Sequence, residues 1–389
     1  METQKALPEG WRWAKLGEVI REARAGFACG EREADGIVQL RMNNLDTRGN
    51  FLLGEVIRVP RSLSNLERFL LSPSDVLFNN TNSTELVGKS ALFCGHSEPI
   101  VYSNHFTRLR TSSEDLLPDV LASWLNHQWQ QGVFASICNR WIGQSAVKTG
   151  KLLSLEIPLP PLPEQKRIAA ILKDQMAATE KARTASLERV EAVRALPSAW
   201  LREVFSFGGG GLPQGWRWER FGNLCRIRTG KKNVNSGSPN GKYPFFTCAT
   251  KHTFSDEYSF DTDALLIAGN GNVGEVQHYR GKFEAYQRTY VVDDFQHTFP
   301  EYAFYALKNG LKEFVSRQKL GNTMPYIKLG MLQSFRIALP PHAEQKRLVS
   351  ALNSKMAATE KIRASAEAEL EAINALPAAL LRRAFNGEI

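Results

Sequence analysis

Apolar positions recur in two segments of the chain with a spacing of three and four. In residues 160–205 and 340–385 they alternate with charged residues, which places them on one stripe of an amphipathic helix. The predicted stripe consists of Ile168, Leu172, Met176, Ala182, Leu187, Val190, Val193 and Leu196 in the first segment, and of Leu348, Leu352, Met356, Ile362, Ala366, Leu370, Ile373 and Leu376 in the second. We expect each helix to run about 30 residues, roughly 45 Å, before Pro197 or Pro377 kinks it or begins a short terminal helix.

The other segments carry short β-rich runs separated by Gly, Asn and Asp turns. These runs include "GIVQLRM", "DVLFNN", "YPFFTCAT", "DALLIAG" and "TYVVDD", which are typical of strands. Two later stretches, "LPDVLASWLNHQWQQGVF" and "PEYAFYALKNGLKEFVSR", have helical character. Each segment is therefore predicted to form an α+β domain with a small curved sheet.

The chain contains an internal repeat. "LPEGWRWAKLGEVI" at 7–20 returns as "LPQGWRWERFGNLC" at 212–225, an offset of 205 with 7 of 14 positions identical, and residues 160–205 return at 340–385, an offset of 180 with 23 of 46 identical. The first intervening segment is therefore 25 residues longer than the second. This predicts a pseudo-twofold chain with a first domain at 1–160, a central helix at 161–207, a second domain at 208–340 and a C-terminal helix at 341–389. A lone amphipathic helix of this length needs a partner, so we expect the two to pair as an antiparallel coiled coil. The alternative is two independent dimerisation helices.

Composition narrows the class of protein. The formal charge is +9 and the isoelectric point is near 9.3, which favours a polyanionic partner. No apolar run is long enough to span a membrane and the N-terminus lacks a signal core, so we expect a cytoplasmic protein. Five scattered cysteines without a CxxC pair, and histidines without metal spacing, predict neither a disulfide framework nor a metal site.

The spacing Gly269-x-Gly271-x-x-Gly274 is that of a dinucleotide-binding loop, which requires a helix directly after it. Residues 275–292 instead predict strand, turn and strand, with Gly281 breaking the run. The glycines then suit a tight loop that either approaches a nucleic-acid backbone or is a plain hairpin turn. No Walker A sequence and no Asp/Asn-Pro-Pro-aromatic tetrapeptide occurs. The sequence indicates a binding protein; the alternatives are a nucleotide-binding enzyme that uses these glycines and a coiled-coil scaffold without DNA binding.

The layout resembles the DNA specificity subunits of type I restriction–modification systems. The resemblance rests on GWRW at 10–13 and 215–218, "IPLPPLPEQKRIA" at 157–169, "LPPHAEQKR" at 339–347, "SPSDVLFNNTNSTELVGKSALF" at 72–93 and "YSFDTDALLIAGNGNVGEV" at 258–276. It covers essentially the whole chain. The second copy departs from the first at His342-Ala343, where the first has Leu162-Pro163.

The resemblance implies two target-recognition domains separated by paired helices, with no catalytic centre. Such a subunit would bind a bipartite, asymmetric site in double-stranded DNA, one half per domain. It would hold two modification subunits that methylate adenine, and restriction (motor and nuclease) subunits would join them. S-adenosylmethionine, ATP and Mg²⁺ would belong to those partners and not to this chain.

DNA reading requires cations for phosphates and planar amide or guanidinium groups for base edges. The candidates in the first domain are Arg41, Asn43, Asn44, Asn79, Thr81, Asn82, Lys89, Arg108 and Arg110. Those in the second domain are Lys231, Lys232, Asn270, Asn272, Arg288, Lys319 and Asn322. Arg108 and Arg110 alternate, which puts them on one face of a strand. For each Asn the alternative is a turn role, because Asn tolerates left-handed backbone geometry.

Overall fold

The computed structural model describes residues 7–112, 114–207, 211–318, 320 and 325–389. The chain divides into two compact units, residues 1–185 with 369–389, and residues 186–368. Each unit thus combines one β-rich segment with part of both long helices, so its bounds differ from the four segments expected from chain order. Among the described residues, no helix has the length and apolar character of a membrane span.

The first unit contains four small sheets. Its strands are β1 (Arg12–Lys15), β2 (Ile20–Ala25), β3 (Ile37–Leu40), β4 (Ile57–Val59), β5 (Val76–Asn79), β6 (Thr81–Asn82), β7 (Ser90–Leu92), β8 (Ile100–Tyr102), β9 (Phe106–Thr111), β10 (Asn139–Trp141), β11 (Gln144–Ala146) and β12 (Glu156–Leu159). Its helices are α1 (Leu16–Val19), α2 (Pro118–Gln130), α3 (Val133–Ile137), α4 (Thr149–Leu153) and the first part of α5 (Leu162–Phe205). The sheet orders are β2-β9-β5-β7, β4-β3-β8, β10-β11-β6 and β1-β12.

The second unit contains one larger sheet and a ribbon. Its strands are β13 (Arg217–Arg220), β14 (Arg226–Thr229), β15 (Tyr243–Phe246), β16 (Thr253–Ser255), β17 (Phe260–Ala268), β18 (Val276–Ala285), β19 (Thr289–Asp293) and β20 (Arg336–Leu339). Its helices are α6 (Pro300–Ser316), α7 (Leu329–Ser334) and the first part of α8 (His342–Phe385). The sheet orders are β14-β19-β17-β18-β15-β16 and β13-β20.

The two units share one topology although their β-rich segments share little sequence. In the first, β2, β9, β5 and β7 are antiparallel, and β3 pairs parallel with β8 and antiparallel with β4. In the second, β14, β19, β17 and β18 are antiparallel, and β15 pairs parallel with β18 and antiparallel with β16. The long strand β18 therefore takes the place of both β7 and β8. The predicted α+β repeat is confirmed.

The repeated sequence motifs build the same joint in both units. GWRW enters a ribbon, β1 with β12 or β13 with β20, whose second strand leads into the Pro-Pro pair and the long helix. The side chain of Gln165 is fully buried. It accepts a hydrogen bond from the Leu117 N–H (2.9 Å) and donates to the backbone carbonyls of Asp115 and Pro160 (2.7 and 2.9 Å). The buried Gln345 makes the same three bonds, to the Phe299 N–H (3.1 Å) and to the His297 and Pro340 oxygens (both 3.0 Å). The shared EQKR motif thus fixes the start of α2 or α6 on the long helix.

The long helices run antiparallel within each unit. In the second unit, Arg194 pairs with Glu367 (3.0 Å) and Lys355 with Glu203 (2.7 Å). Residue numbers thus rise along α5 as they fall along α8, which defines an antiparallel pair. In the first unit, the Arg167 guanidinium donates to the carbonyl of Ile389. There the start of α5 and the end of α8 contribute side chains to one apolar core.

Both helices are longer than expected. Each is continuous for 44 residues and contains its proline, Pro197 or Pro377, inside the helix. The alternative that each proline begins a separate terminal helix is therefore wrong, and the alternative that it kinks a continuous helix stays a prediction. A proline in a helix removes one backbone hydrogen bond, yet each helix continues beyond it to Phe205 or Phe385.

The buried stripe also differs from the predicted one. Leu187, Ile362 and Leu376 are exposed, whereas Thr179 and Thr359 are buried. Each threonine hydroxyl donates to the carbonyl four residues earlier, at 2.8 Å, which satisfies it without water. Hydrophobicity alone therefore misassigned the middle of the stripe, because small residues with internally bonded hydroxyls can line a close helix contact.

Candidate nucleic-acid interface

Three loops meet at one end of the sheet in the first unit. We call residues 79–84, 103–105 and 139–146 the first loop cluster. The Asn80 N–H donates to the His105 carbonyl (3.0 Å), and the Val147 N–H donates to the Asn80 carbonyl (2.9 Å). Strand β11 pairs with β6, and the Gln144 amide lies 3.5 Å from the His105 ring. Backbone bonds thus hold the three loops together, so their side chains share one surface.

The second unit builds the same arrangement from different residues. We call residues 269–272, 286–288 and 325–327 the second loop cluster. Here the Gly269 N–H donates to the Arg288 carbonyl, and the Ile327 N–H donates to the Gly269 carbonyl, both at 2.9 Å. These bonds match those of the first cluster, so His105 and Arg288 occupy equivalent positions. An open cleft of about 370 Å³ lies here, lined by Thr229, Gly269, Gln287, Arg288, Tyr290 and Ile327.

Several predicted residues lie at or beside the first loop cluster. Thr81 is part of it, half-buried, and its hydroxyl donates to the Asn80 side chain (2.6 Å). Arg41 and Asn43 are exposed on the neighbouring 42–44 turn. Burial and the nearby Arg41 charge lower the pKa of His105 below its usual value. A neutral His105 ring can donate and accept hydrogen bonds at neutral pH.

The other predicted asparagines of the first unit are buried and already bonded to the protein. Asn44 donates to the Leu52 and Glu55 carbonyls (both 2.8 Å) and accepts from the Arg41 N–H. Asn79 donates to two backbone carbonyls, and Asn82 donates to the Asn79 side chain at 2.6 Å. Their amides hold turns in place and leave little surface for DNA, which favours the turn alternative for all three.

Lys89 is also buried. Its ammonium donates to the Leu45 carbonyl. Burial lowers its pKa, and the nearby Asp46 charge opposes that shift. With only 5% of the residue exposed, Lys89 is not placed to contact a phosphate.

Arg108 and Arg110 lie on one face of β9, as the alternation predicts, but both are neutralised there. Arg110 makes a two-point bond to Asp75 (2.6 and 3.1 Å), and Arg108, 2% exposed, donates to Glu22 at 2.8 Å and to the Leu70 carbonyl. Burial raises the pKa of Glu22, but hydrogen bonds from Arg24 and Arg108 outweigh it and lower the pKa to about 2. The sequence could not show that the carboxylates of Glu22, in β2, and of Asp75, directly before β5, reach this face.

In the second unit, Lys231 and Lys232 follow β14, in the connection to β15. The Gln287 N–H donates to the Lys232 carbonyl at 3.0 Å. Lys232 pairs with the exposed Glu257 (2.8 Å). Lys231 is exposed, and in the described ranges its ammonium has no acidic partner within ion-pair distance. Lys231 is therefore the better phosphate candidate of the two.

Arg288 and Asn270 belong to the second loop cluster itself. Arg288 is exposed in the turn between β18 and β19, and Asn270 forms a bridge with Tyr326. Asn272 is half-buried in the turn before β18, where its carbonyl accepts from the Glu275 N–H (3.2 Å). Lys319 and Asn322 lie outside the described residues.

The glycine spacing has a structural explanation. Strand β18 follows Gly274, so no helix N-terminus is present to hold a pyrophosphate. The expected order strand, turn, strand is present, but the turn lies at residues 286–288 and not at Gly281. Gly281 does not break β18, which continues through it. A Cβ at Gly269 would lie 2.4 Å from the Arg288 carbonyl, and one at Gly274 would lie 2.7 Å from Val315. Close packing of the protein on itself therefore accounts for these two glycines.

Two features escaped the sequence prediction. The β10–β11 hairpin presents Trp141 and Ile142 at its tip, both exposed. In the second unit, the Lys282 ammonium lies 4.6 Å from the centre of the exposed Tyr258 ring, and the Tyr243 ring packs 4.8 Å from Tyr258. The available signals were the turn residue Gly143 and aromatics interleaved with lysines.

The molecule thus contains one scaffold built twice, with different polar side chains at equivalent loops. Among the described residues, no group of three or more His, Cys, Asp or Glu side chains is placed to hold a metal ion. Comparison with known families gives the class. Residues 8–189 and 213–372 match the type I restriction modification DNA specificity domain. The chain belongs to this family, whose members are the non-catalytic subunits that provide DNA specificity in type I restriction–modification.

Individual relatives agree. The chain is 35% identical over 180 residues to the type I restriction enzyme EcoDI specificity subunit of Escherichia coli, a match that spans 46% of this chain and 40% of that protein. In fold it resembles a chain from a study of complex assembly and conformational transition of the type I R-M system (TM-score 0.81, 23% identity, covering 99% of this chain and 100% of that one). It also resembles the HsdS subunit of Thermoanaerobacter tengcongensis (TM-score 0.64, 24% identity, 99% of both chains). At these identities the two structures bear on the fold alone.

Proposed function

We propose that the chain recognises a bipartite, asymmetric site in double-stranded DNA, with one half read by each loop cluster. The observation that supports this is the equivalence of the clusters. The same backbone bonds place His105 in one unit and Arg288 in the other. Two domains that read different half-sites require different side chains at equivalent positions, and His105 and Arg288 meet that requirement.

The side chains divide by the contacts that suit them. Arg41 and Lys231 are exposed cations beside the clusters and suit phosphates. Gln287 and Arg288 stand at the mouth of the cleft, where a planar amide and a guanidinium suit base edges. Arg forms its commonest specific contact with guanine, through two hydrogen bonds in the major groove.

The chain would act as part of an assembly. We propose that it positions two modification subunits, which methylate adenine, and that restriction (motor and nuclease) subunits join the complex. S-adenosylmethionine, ATP and Mg²⁺ would bind to those subunits. This chain would select the DNA site, and its partner subunits would catalyse the reactions.

The decisive experiment exchanges one reader. Residues 226–337 would be replaced by the corresponding segment of a relative, and the methylated motif of the assembled complex would be mapped by methylome sequencing. We expect one half-site to change and the other to persist. The matched control exchanges residues 20–156 and should change the other half. A swap that altered both halves would contradict the two-reader model, and assembly without sequence preference would favour the scaffold alternative.

A further inference from the structure

The β10–β11 hairpin exposes two large apolar side chains to solvent at its tip. Trp141 is 60% exposed and Ile142 is fully exposed. The strands are joined by Ile142 and Gly143 alone, and Gly143 has a φ of +78°. The residue before such a glycine in a turn is ordinarily proline or small and polar. The fold therefore does not explain the isoleucine.

The tip is held firmly on the first loop cluster. Strand β11 pairs with β6 through Ser145 with Asn82 and Ala146 with Thr81. The Ser145 and Thr84 hydroxyls are hydrogen-bonded at 2.8 Å. The hairpin thus projects from the surface proposed to read DNA and is not a free loop.

The surrounding charge indicates what the tip meets. From Val120 to Leu155 the chain contains no Asp or Glu, but it contains Arg140, Lys148 and Lys151. Arg140, next to Trp141 in β10, and Lys148, two residues beyond β11, are both exposed, and the Arg140 guanidinium donates to the Ala135 carbonyl (3.0 Å). The exposed carboxylate of Glu85 lies near the base of the hairpin, one residue beyond Thr84. An apolar tip flanked by cations complements a polyanion that has an apolar interior.

On the basis of the proposed function, we propose that Trp141 and Ile142 form a wedge that enters between two base pairs of the first half-site. Stacked bases offer the apolar faces that an indole and an aliphatic side chain require, and inserted apolar side chains unstack and kink a duplex. Arg140 and Lys148 would bind the phosphates on either side. The wedge would add recognition of an easily unstacked step to the contacts of His105 and Thr81.

The size of the tip argues against a protein partner. A stable protein interface buries roughly 800 Å² on each partner. An aromatic side chain buries about 150–250 Å², so two side chains fall well short of an interface of that size. A single base step, in contrast, is filled by one or two side chains.

The test uses the assembled complex with its modification subunits and the motif found by methylome sequencing. Duplexes would carry 2-aminopurine, which brightens when unstacked, at successive positions of the first half-site, excluding the adenine that is methylated. That adenine is excluded because enzymes that modify a base flip it out by themselves. We expect wild-type complex to raise the fluorescence several-fold at one step. In W141A/I142A the signal should fall to that of free duplex, and the affinity should fall by roughly 5- to 150-fold, the range for stacking one base on an aromatic ring.

Two variants control this result. W141F should keep most of the signal, because a smaller ring still stacks. F254A removes an exposed aromatic from the second unit and should leave the first half-site signal unchanged. An unaltered signal and affinity in W141A/I142A would overturn the wedge, as would loss of the modification subunits from that variant with the DNA signal intact. Failure of the wild-type complex to bind any sequence preferentially would overturn the proposed function itself.

Discussion

The buried glutamine of the EQKR motif offers a test of how the repeat holds each β-rich segment on its long helix. Gln165→Met keeps the length and volume of the side chain but removes its amide. The Leu117 N–H and the Asp115 and Pro160 carbonyls then lose their partner. Gln345→Met does the same to Phe299, His297 and Pro340 in the second unit. The chain thus supplies a matched pair of variants.

The expected loss follows from the burial of these groups. A buried polar group left without a partner costs about 1–3 kcal/mol. Of the three groups, the Pro160 carbonyl bond is fully buried, and the other two bonds are half-buried, where water can compensate in part. We therefore expect a loss of about 2–4 kcal/mol in local stability for Gln165→Met. At 1.4 kcal/mol per tenfold change, this raises the opening of α2 about 30- to 700-fold.

Hydrogen exchange of the full chain, read by mass spectrometry, measures this opening helix by helix. Global unfolding is unsuitable because a chain with two compact units need not unfold in one step. Gln165→Met should speed exchange in α2 and spare α6, and Gln345→Met should do the reverse. Glu164→Ala, which removes only a pair with Arg167 at the surface, is the control and should change neither. Equal exchange in wild type and Gln165→Met, or loosening of the same helix by both variants, would refute the role given to the amide.

Three further outcomes follow from the site. Lys231→Ala should weaken binding to all sequences alike and reduce the slope of log affinity against log salt by about one, whereas Lys232→Ala, whose ammonium already pairs with Glu257, should do less; equal slopes in wild type and Lys231→Ala would count against the phosphate contact. Arg288→Ala in the assembled complex should relax one base of the second half-site and leave the first half intact by methylome sequencing, and relaxation of both halves would contradict this. Glu22, with a pKa of about 2 in the folded chain against 4.5 ordinarily, stabilises the first unit fully above about pH 4.5 and loses this contribution as the pH falls toward 2. Glu22→Gln should therefore flatten the acid side of that unit's stability profile, measured by hydrogen exchange, and a profile identical to wild type would show that the carboxylate contributes nothing.

The sequence predicted the repeat, the two long helices and the β-rich segments because each has a recognisable pattern. These patterns are repeated motifs, apolar residues at helical spacing, and β-forming runs separated by turn residues. Strands β17 and β19 contain the apolar runs ending near Ala268 and Asp293. The antiparallel pairing followed from the need of each helix for a partner. Helix ends and the middle of the stripe could not be predicted, because Thr179 enters the seam by bonding its hydroxyl to Gln175, an arrangement that hydrophobicity does not register.

The site was less predictable because the type of a polar residue does not show whether it is exposed or bonded to the protein. Asn44 and Asn79 have the same chemistry as a base-reading asparagine, but their partners lie up to 26 positions away in sequence. The same holds for Arg108, whose partner Glu22 lies 86 positions away on the neighbouring strand β2. Arg41, Lys231 and Arg288, which lie in connections between strands, combine a suitable side chain with exposure.

The two units share more in their backbone structure than in their sequence, and two glycines explain part of this similarity. A Cβ at Gly26 would lie 2.3 Å from the Ser103 carbonyl, and one at Gly230 would lie 2.0 Å from the Ala285 carbonyl. Each glycine N–H donates to the strand that follows the equivalent turn, to Phe106 in one unit and to Thr289 in the other. Any side chain at either position would push the turn away from the neighbouring strand, so these positions are fixed by contact. The side chains at the tips of the same turns differ: His105 is half-buried and Arg288 is exposed. A scaffold whose turn glycines are fixed by contact can carry different side chains at its turn tips without changing how it folds.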